Sequence, residues 1–179
     1  MLKTPYKNKK YVISFCRKVC IGSKSMYVIV EPLPNKPVNE CFSIVPEHVA
    51  SHRGKQKFGW AIYHWPRVFI EAEFHCVWER PDGVLIDITP KAFHFDKILF
   101  LPDPHRHYEG FQVDNIRKAI SNDPLVKSFI DLAAERFREM NKGDLAYQHG
   151  DINISERCKG IECEMEKINL ALVMKFGWP

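Results

Sequence analysis

Pro81-Asp82-Gly83 lies between two β-rich runs, residues 68–78 and 84–89, and constrains the chain more tightly than any other segment of its 179 residues. Proline presets the first turn angle, aspartate caps the turn, and glycine accepts the left-handed position of a bulged three-residue loop. In such a loop Arg80 pairs with Val84, which puts His75 opposite Thr89 and Asp87 opposite Val77. His75 and Asp87 are then diagonal neighbours on one face, about 7–8 Å apart at the backbone, within reach of a carboxylate–imidazole contact. A slip of one residue would place them on opposite faces.

Around this hairpin the first half of the chain reads as strands and the second half as helices. Residues 11–16 and 26–31 are short β-branched and aromatic runs separated by Gly22-Ser23, and they predict an antiparallel pair. Pro32-Leu33-Pro34-Asn35-Lys36-Pro37 is a stiff extended connection. Asn39-Glu40-Cys41-Phe42 opens a helix reaching about His52, closed by Arg53-Gly54. Residues 59–65 and 98–101 complete the strands. Beyond Pro102 the period changes to 3.6. Asn122-Asp123-Pro124 starts a helix with Leu125, Phe129, Leu132, Ala133 and Phe137 on one face. A second runs over residues 155–175 with Ile161, Met165, Ile168 and Leu172, and stops at Gly177. The pattern predicts an α+β protein: a core over residues 1–110 and a helical portion over 111–179 packed on the same domain.

Composition excludes several classes. With 45% hydrophobic and 27% charged residues the chain is neither disordered nor a coiled-coil rod. Its apolar runs fall short of the ~18 residues of a membrane helix, so no membrane partner is expected. Lys and Arg number 26 against 22 acidic residues, and a net charge of +4 is too small to argue for nucleic acid. Lys55-Gln56-Lys57-Phe58 beside Trp60, Trp65 and Trp78 is the one hint of single-strand binding, and the tryptophans read as core. The six cysteines accompany no apolar leader segment, which points to reduced thiols and a cytoplasmic location. Their spacings, C-x3-C and C-x4-C, differ from a zinc knuckle. His64, Glu71, Glu73, His75, His105 and His107 form the alternative, a zinc protein, but the His-x-His lies in a turn-rich loop that reads as solvated. No metal or cofactor is expected.

Asp87 sits inside the apolar run of residues 84–88, so it must be solvated on one face or paired. His75 supplies the pairing, and an aspartate beside a histidine fixes the imidazole tautomer and stabilises its charged form. Such a pair needs a group to activate. Cys41 follows the Pro-rich loop at a helix start with Asn39 as cap candidate. A helix N-terminus and a nearby imidazolium both favour a thiolate, and backbone N–H groups at the same end can hold an oxyanion. Cys76 neighbours His75 and points to the other face. Glu73 shares the face of His75 and is a candidate for choosing among substrates.

The order Cys41, His75, Asp87, with the strand His75-Cys76-Val77-Trp78, an Asp-Gly turn and Leu85-Ile86-Asp87-Ile88-Thr89-Pro90, resembles the transglutaminase-like branch of the papain-like superfamily over residues 35–102. The resemblance implies a papain-like antiparallel sheet with an N-terminal nucleophile helix and C-terminal helices. It also implies Cys41 as nucleophile, His75 as general base and then acid, and Asp87 as orienting carboxylate. The chain departs from the pattern in three places. Pro46 falls inside the nucleophile helix, Cys76 replaces a small alanine, and no glutamine precedes Cys41 as oxyanion donor, leaving Asn35 or Asn39. The expected activity is a cysteine-dependent hydrolase or acyl transferase on an amide or ester of a protein or peptide substrate: peptide, isopeptide or glutamine side chain. The alternative is a non-catalytic binding or inhibitory protein of the same fold.

Overall fold

The computed structural model describes residues 2–148 and 153–179. In chain order they form α1 (Lys10–Val19), β1 (Met26–Val30), α2 (Cys41–His52), β2 (Lys55–Trp65), β3 (Phe69–Glu79), β4 (Leu85–Asp87) and β5 (Lys97–Pro102). Then follow β6 (Ile116–Ala119), α3 (Pro124–Met140), a 3-10 turn at Gly143–Tyr147 and α4 (Glu156–Phe176). The β3–β4 hairpin closes as its turn residues dictate. Arg80 N–H donates to the Val84 carbonyl at 2.9 Å, Gly83 N–H to the Arg80 carbonyl at 2.9 Å, and Gly83 takes φ +84°. Trp78 faces Ile86 and Glu79 faces Leu85, the register expected from the sequence.

The sheet is not the open, papain-like antiparallel sheet expected. Its order is β2-β5-β1-β4-β3, and β3 pairs back onto β2 from Trp65↔Phe69 to Lys55↔Glu79, so five strands close into a barrel. The barrel is mixed, because β1 runs parallel to β4 while pairing antiparallel with β5. Length explains the closure. The β2–β3 ribbon has 11 residues in each strand, and over that span twist coils it until its edges approach, with β1 bridging the gap that the 3-residue β4 leaves. Closure also pairs strand edges that would otherwise be exposed. Gly59 marks a tight crossing, since a Cβ there would collide with the Leu101 carbonyl and the Phe100 ring.

A second correction concerns residues 11–16, which are helical in α1. Val12, Phe15 and Cys16 recur at helical spacing and seal against Trp60, Ile62, Leu99 and Leu101 on the outside of the barrel. That burial outweighs the β preference of Val12 and Ile13. The helix opened by Cys41 is therefore the second, behind α1 and β1, and it runs through Pro46. The later helices start where the sequence places them. Asp123 Oδ1 accepts from Leu125 N–H at 2.9 Å, and Ser155 Oγ from Cys158 N–H at 3.2 Å. Val126 of α3 and Leu172 of α4 pack on Trp65, Val68 and Phe69, and β6 adds a strand to β3 over Phe69–Ala72. Among the described residues no helix is long and apolar enough to cross a membrane.

Candidate active site

Pairing fixes which residues of β3 share a side. Glu73 faces Ala61, Glu71 faces Tyr63, and His75 faces Gly59. Ala61 and Tyr63 cluster with Val28, Val77, Ile98 and Phe100 inside the barrel. Glu71, Glu73 and His75 therefore point inward, and Asp87 joins them because Val30 is its partner on β1. Phe74 and Cys76 point outward, into the clusters under α1 and α2.

His75 and Asp87 meet as the hairpin register requires. His75 Nε2 lies 3.1 Å from Asp87 Oδ1, with side-chain exposures of 2% and 0%. The distance is that of an ion pair, while the N–H direction falls outside hydrogen-bond geometry, so charge holds the contact. Asp87 Oδ1 also accepts from Thr89 N–H at 3.2 Å. Lys91, with a side chain 7% exposed, brings its Nζ within 3.1 Å of Asp87 Oδ2. Burial alone would push the imidazole towards its neutral form, but the Asp87 carboxylate more than reverses this and raises His75 to about 10. Burial likewise opposes ionisation of Asp87, and the His75 charge overcomes it, holding the carboxyl well below its ordinary range. Asp87 thus stands between two basic side chains, His75 on Oδ1 and Lys91 on Oδ2.

Cys41 is delivered to this cluster by backbone pairing. Glu31 N–H donates to the Asp87 carbonyl at 2.9 Å, Leu33 N–H to Ile88 at 3.0 Å, and Asn39 N–H to Pro90 at 2.9 Å. The loop from β1 thus tracks residues 87–90 and starts α2 beside them. Pairing of β4 ends at Trp78 and pairing of β6 at Ala72, so the β3 edge between them is open to α2 among the described residues. Cys41 packs there against Cys76, Ile86 and Ile88, 2% exposed, and its sulfur is near enough for a negative charge on it to favour the His75 imidazolium. In the first turn of α2, Ser43 and Ile44 N–H donate to the Glu40 carbonyl at 3.2 and 3.0 Å, while the N–H groups of Cys41 and Phe42 precede the first intrahelical acceptor. Phe42, next in α2, stacks on Tyr108 with ring centroids 4.1 Å apart.

The other sequence-derived candidates separate. Asn39 takes φ +63° and lines a cavity of about 210 Å³ with Tyr63, Glu71, Glu73, Lys91 and Phe93. It is not the cap of α2, a position that Glu40 holds. Asn35 is exposed in the turn before α2 and lines no part of that cavity. Glu73 lines that cavity. Glu71 is bound by Arg117 Nε at 3.2 Å. His64 faces outward and shares a hydrogen bond of 2.7 Å with the Tyr11 hydroxyl. His105 and His107 line a different hollow beside α1. Among the described residues no group of three or more His, Cys, Asp or Glu is placed to hold a metal ion. Burial pushes the Cys76 thiol far up, so it stays protonated.

Sequence reasoning missed Lys91. Its signal was the spacing Asp87-x-x-x-Lys91 across Pro90, where a turn brings i and i+4 together.

Comparison with models of protein families, with curated proteins and with solved structures finds no match.

Proposed function

We propose that this chain is a cysteine-dependent hydrolase or acyl transferase, acting on an amide or ester of a peptide or protein through a thioester at Cys41. The carrying observation is the buried His75–Asp87 ion pair beside the first residue of α2. Cys41 lies near enough to His75 for the imidazolium to favour a thiolate at the moment of attack. The thiolate attacks the acyl carbon, and first-turn N–H groups of α2 receive the oxyanion. With Nε2 held by Asp87, Nδ1 of His75 gives its proton to the leaving nitrogen or oxygen as that bond breaks. Water or an amine then returns a proton to Nδ1, attacks the thioester and frees the thiolate. Because His75 is charged at neutral pH, it begins as the acid rather than as the base. Cys41 is covered, so a local opening must precede substrate entry. Free thiols at all six cysteines suit a reducing compartment such as the cytoplasm.

The same 2% exposure of Cys41 favours a second reading, a binding protein that holds His75 and Asp87 for structure. Acylation separates the two. Incubation with p-nitrophenyl acetate should release one equivalent of p-nitrophenol in a burst and leave one acetyl group on Cys41, located by peptide mass mapping. A burst that survives Cys41→Ser, or no acetyl group on Cys41, would reject the enzyme.

A further inference from the structure

The cavity of about 210 Å³ is lined by Glu73, two residues before His75 on β3, and by Asn39, two residues before Cys41, and its charges are unequally satisfied. Glu71 is held by Arg117 at 3.2 Å and by Asn115 at 3.4 Å. Lys91 is held by Asp87 at 3.1 Å. Glu73, half-buried, has neither an ion pair nor a hydrogen bond among the described residues, and it stands two positions from His75 on the same face, about 7 Å along the strand. The remaining wall is mostly apolar, from Leu2, Ala92, Phe93 and Phe95 with the Tyr63 ring, and Asn39 is its one other polar residue. A second hollow of about 380 Å³ shares Leu2, Glu71 and Phe93 with it and runs on to Phe129, Met165 and Trp178.

A cavity with apolar walls and one carboxylate that lacks a partner among the described residues is complementary to a cation on an apolar stem. We infer that the cavity is the specificity pocket for a lysine or arginine side chain next to the reacting acyl group, with Glu73 binding its ammonium or guanidinium. The shared walls carry the neighbouring substrate residue into the second hollow, so the substrate is an extended peptide segment. This inference rests on the proposed cysteine chemistry at Cys41 and adds the substrate class. Glu73 is a binding residue here and takes no part in bond making.

Three reagents that differ only in side chain test it: N-acetyl-lysyl, N-acetyl-norleucyl and N-acetyl-glutamyl chloromethyl ketone, each alkylating Cys41 by loss of chloride. Rates at Cys41 are read by mass spectrometry at pH 7, with the exposed Cys163 as internal reference. The lysyl reagent should react about tenfold or more faster than the norleucyl one, the worth of a charge-assisted contact. Glu73→Gln should bring that ratio close to one, and Glu73→Lys should turn the preference towards the glutamyl reagent. Each ratio is taken within one variant, so loss of folded protein does not affect it. A lysyl preference that survives Glu73→Gln, or none in the native chain, overturns the pocket assignment while leaving the Cys41 chemistry standing. Rates at Cys41 no faster than at Cys163 with every reagent, and insensitive to His75→Ala, overturn the catalytic reading and the pocket with it.

Discussion

The two faces of β3 are made of alternate residues of one strand and follow opposite rules. Outward, Ile70, Ala72, Phe74 and Cys76 are buried among apolar neighbours. Burying each large side chain contributes about 1.5–3 kcal/mol, and nothing on that side needs a partner. Inward, Glu71, Glu73 and His75 stand where a fold built for stability alone would place valine or leucine. Charges there cost desolvation, which Asp87 offsets for His75 and Arg117 and Asn115 offset for Glu71, while Glu73 has no such partner among the described residues. A buried ionic cluster is a poor source of stability compared with apolar side chains of the same volume. The contrast therefore separates the two sides of the strand: the outer face holds the barrel to its helices, and the inner face holds the charged cluster to which the proposed chemistry gives a use.

The comparison breaks most visibly at Asp87. Asp87→Ala leaves His75 and Lys91 as buried cations without a counter-charge, and unfolding in urea should show a loss of about 3–5 kcal/mol. Acetylation of Cys41 should vanish with it. A variant as stable as the native chain would mean that the cluster is solvated and the inner face is ordinary surface.

The effect of pH has a definite sign. The folded state raises His75 to about 10, so its contribution is complete below the ordinary imidazole value of ~6.5 and is lost as pH rises through about 10. Asp87 is lowered, so its contribution is complete above the ordinary carboxylate value of ~4 and is lost as pH falls. Thermal melts should show a plateau between roughly pH 4 and 6.5 and a decline towards pH 10. In Asp87→Asn the part of the alkaline decline due to His75 should disappear. An identical profile in that variant would contradict the pairing.

The outer face responds differently. Ile70→Val should cost about 0.5–1.5 kcal/mol in the same urea measurement and leave acetylation of Cys41 per folded molecule unchanged. Loss of acetylation on so mild a change would show that the faces are not independent.

What the sequence made legible divides along the same line. The His75–Asp87 contact was readable because it depends on one turn, and Pro81, Asp82 and Gly83 specify that turn locally. The starts of α3 and α4 were readable from Asp123-Pro124 and Ser155 for the same reason. The barrel was not, because its closure depends on β1 running parallel to β4, a pairing between residues 29 and 86 that no local pattern encodes. The papain-like sheet was inferred from a motif that covers the hairpin and leaves the strand order open. Residues 11–16 misled because Val12 and Ile13 favour strands, while the decisive spacing, Val12 to Phe15 and Cys16, gains its meaning only against the outer wall of the barrel. β6 is too short and polar to stand out, since Ile116-Arg117-Lys118-Ala119 reads as a loop until it lies on β3.

Site-resolved alkylation tests the central claim most directly, that Cys41 is a nucleophile served by His75 and Asp87. Brief treatment with iodoacetamide at pH 7, followed by mass spectrometry of each cysteine, compares Cys41 with buried Cys76, which packs against it, and with exposed Cys163. Cys41 should label ahead of Cys163 despite its 2% exposure, Cys76 should stay unlabelled, and His75→Ala should slow Cys41 alone. Labelling of Cys41 no faster than Cys76, unchanged by His75→Ala, would contradict the claim and leave the inner charges of the barrel with a structural role only.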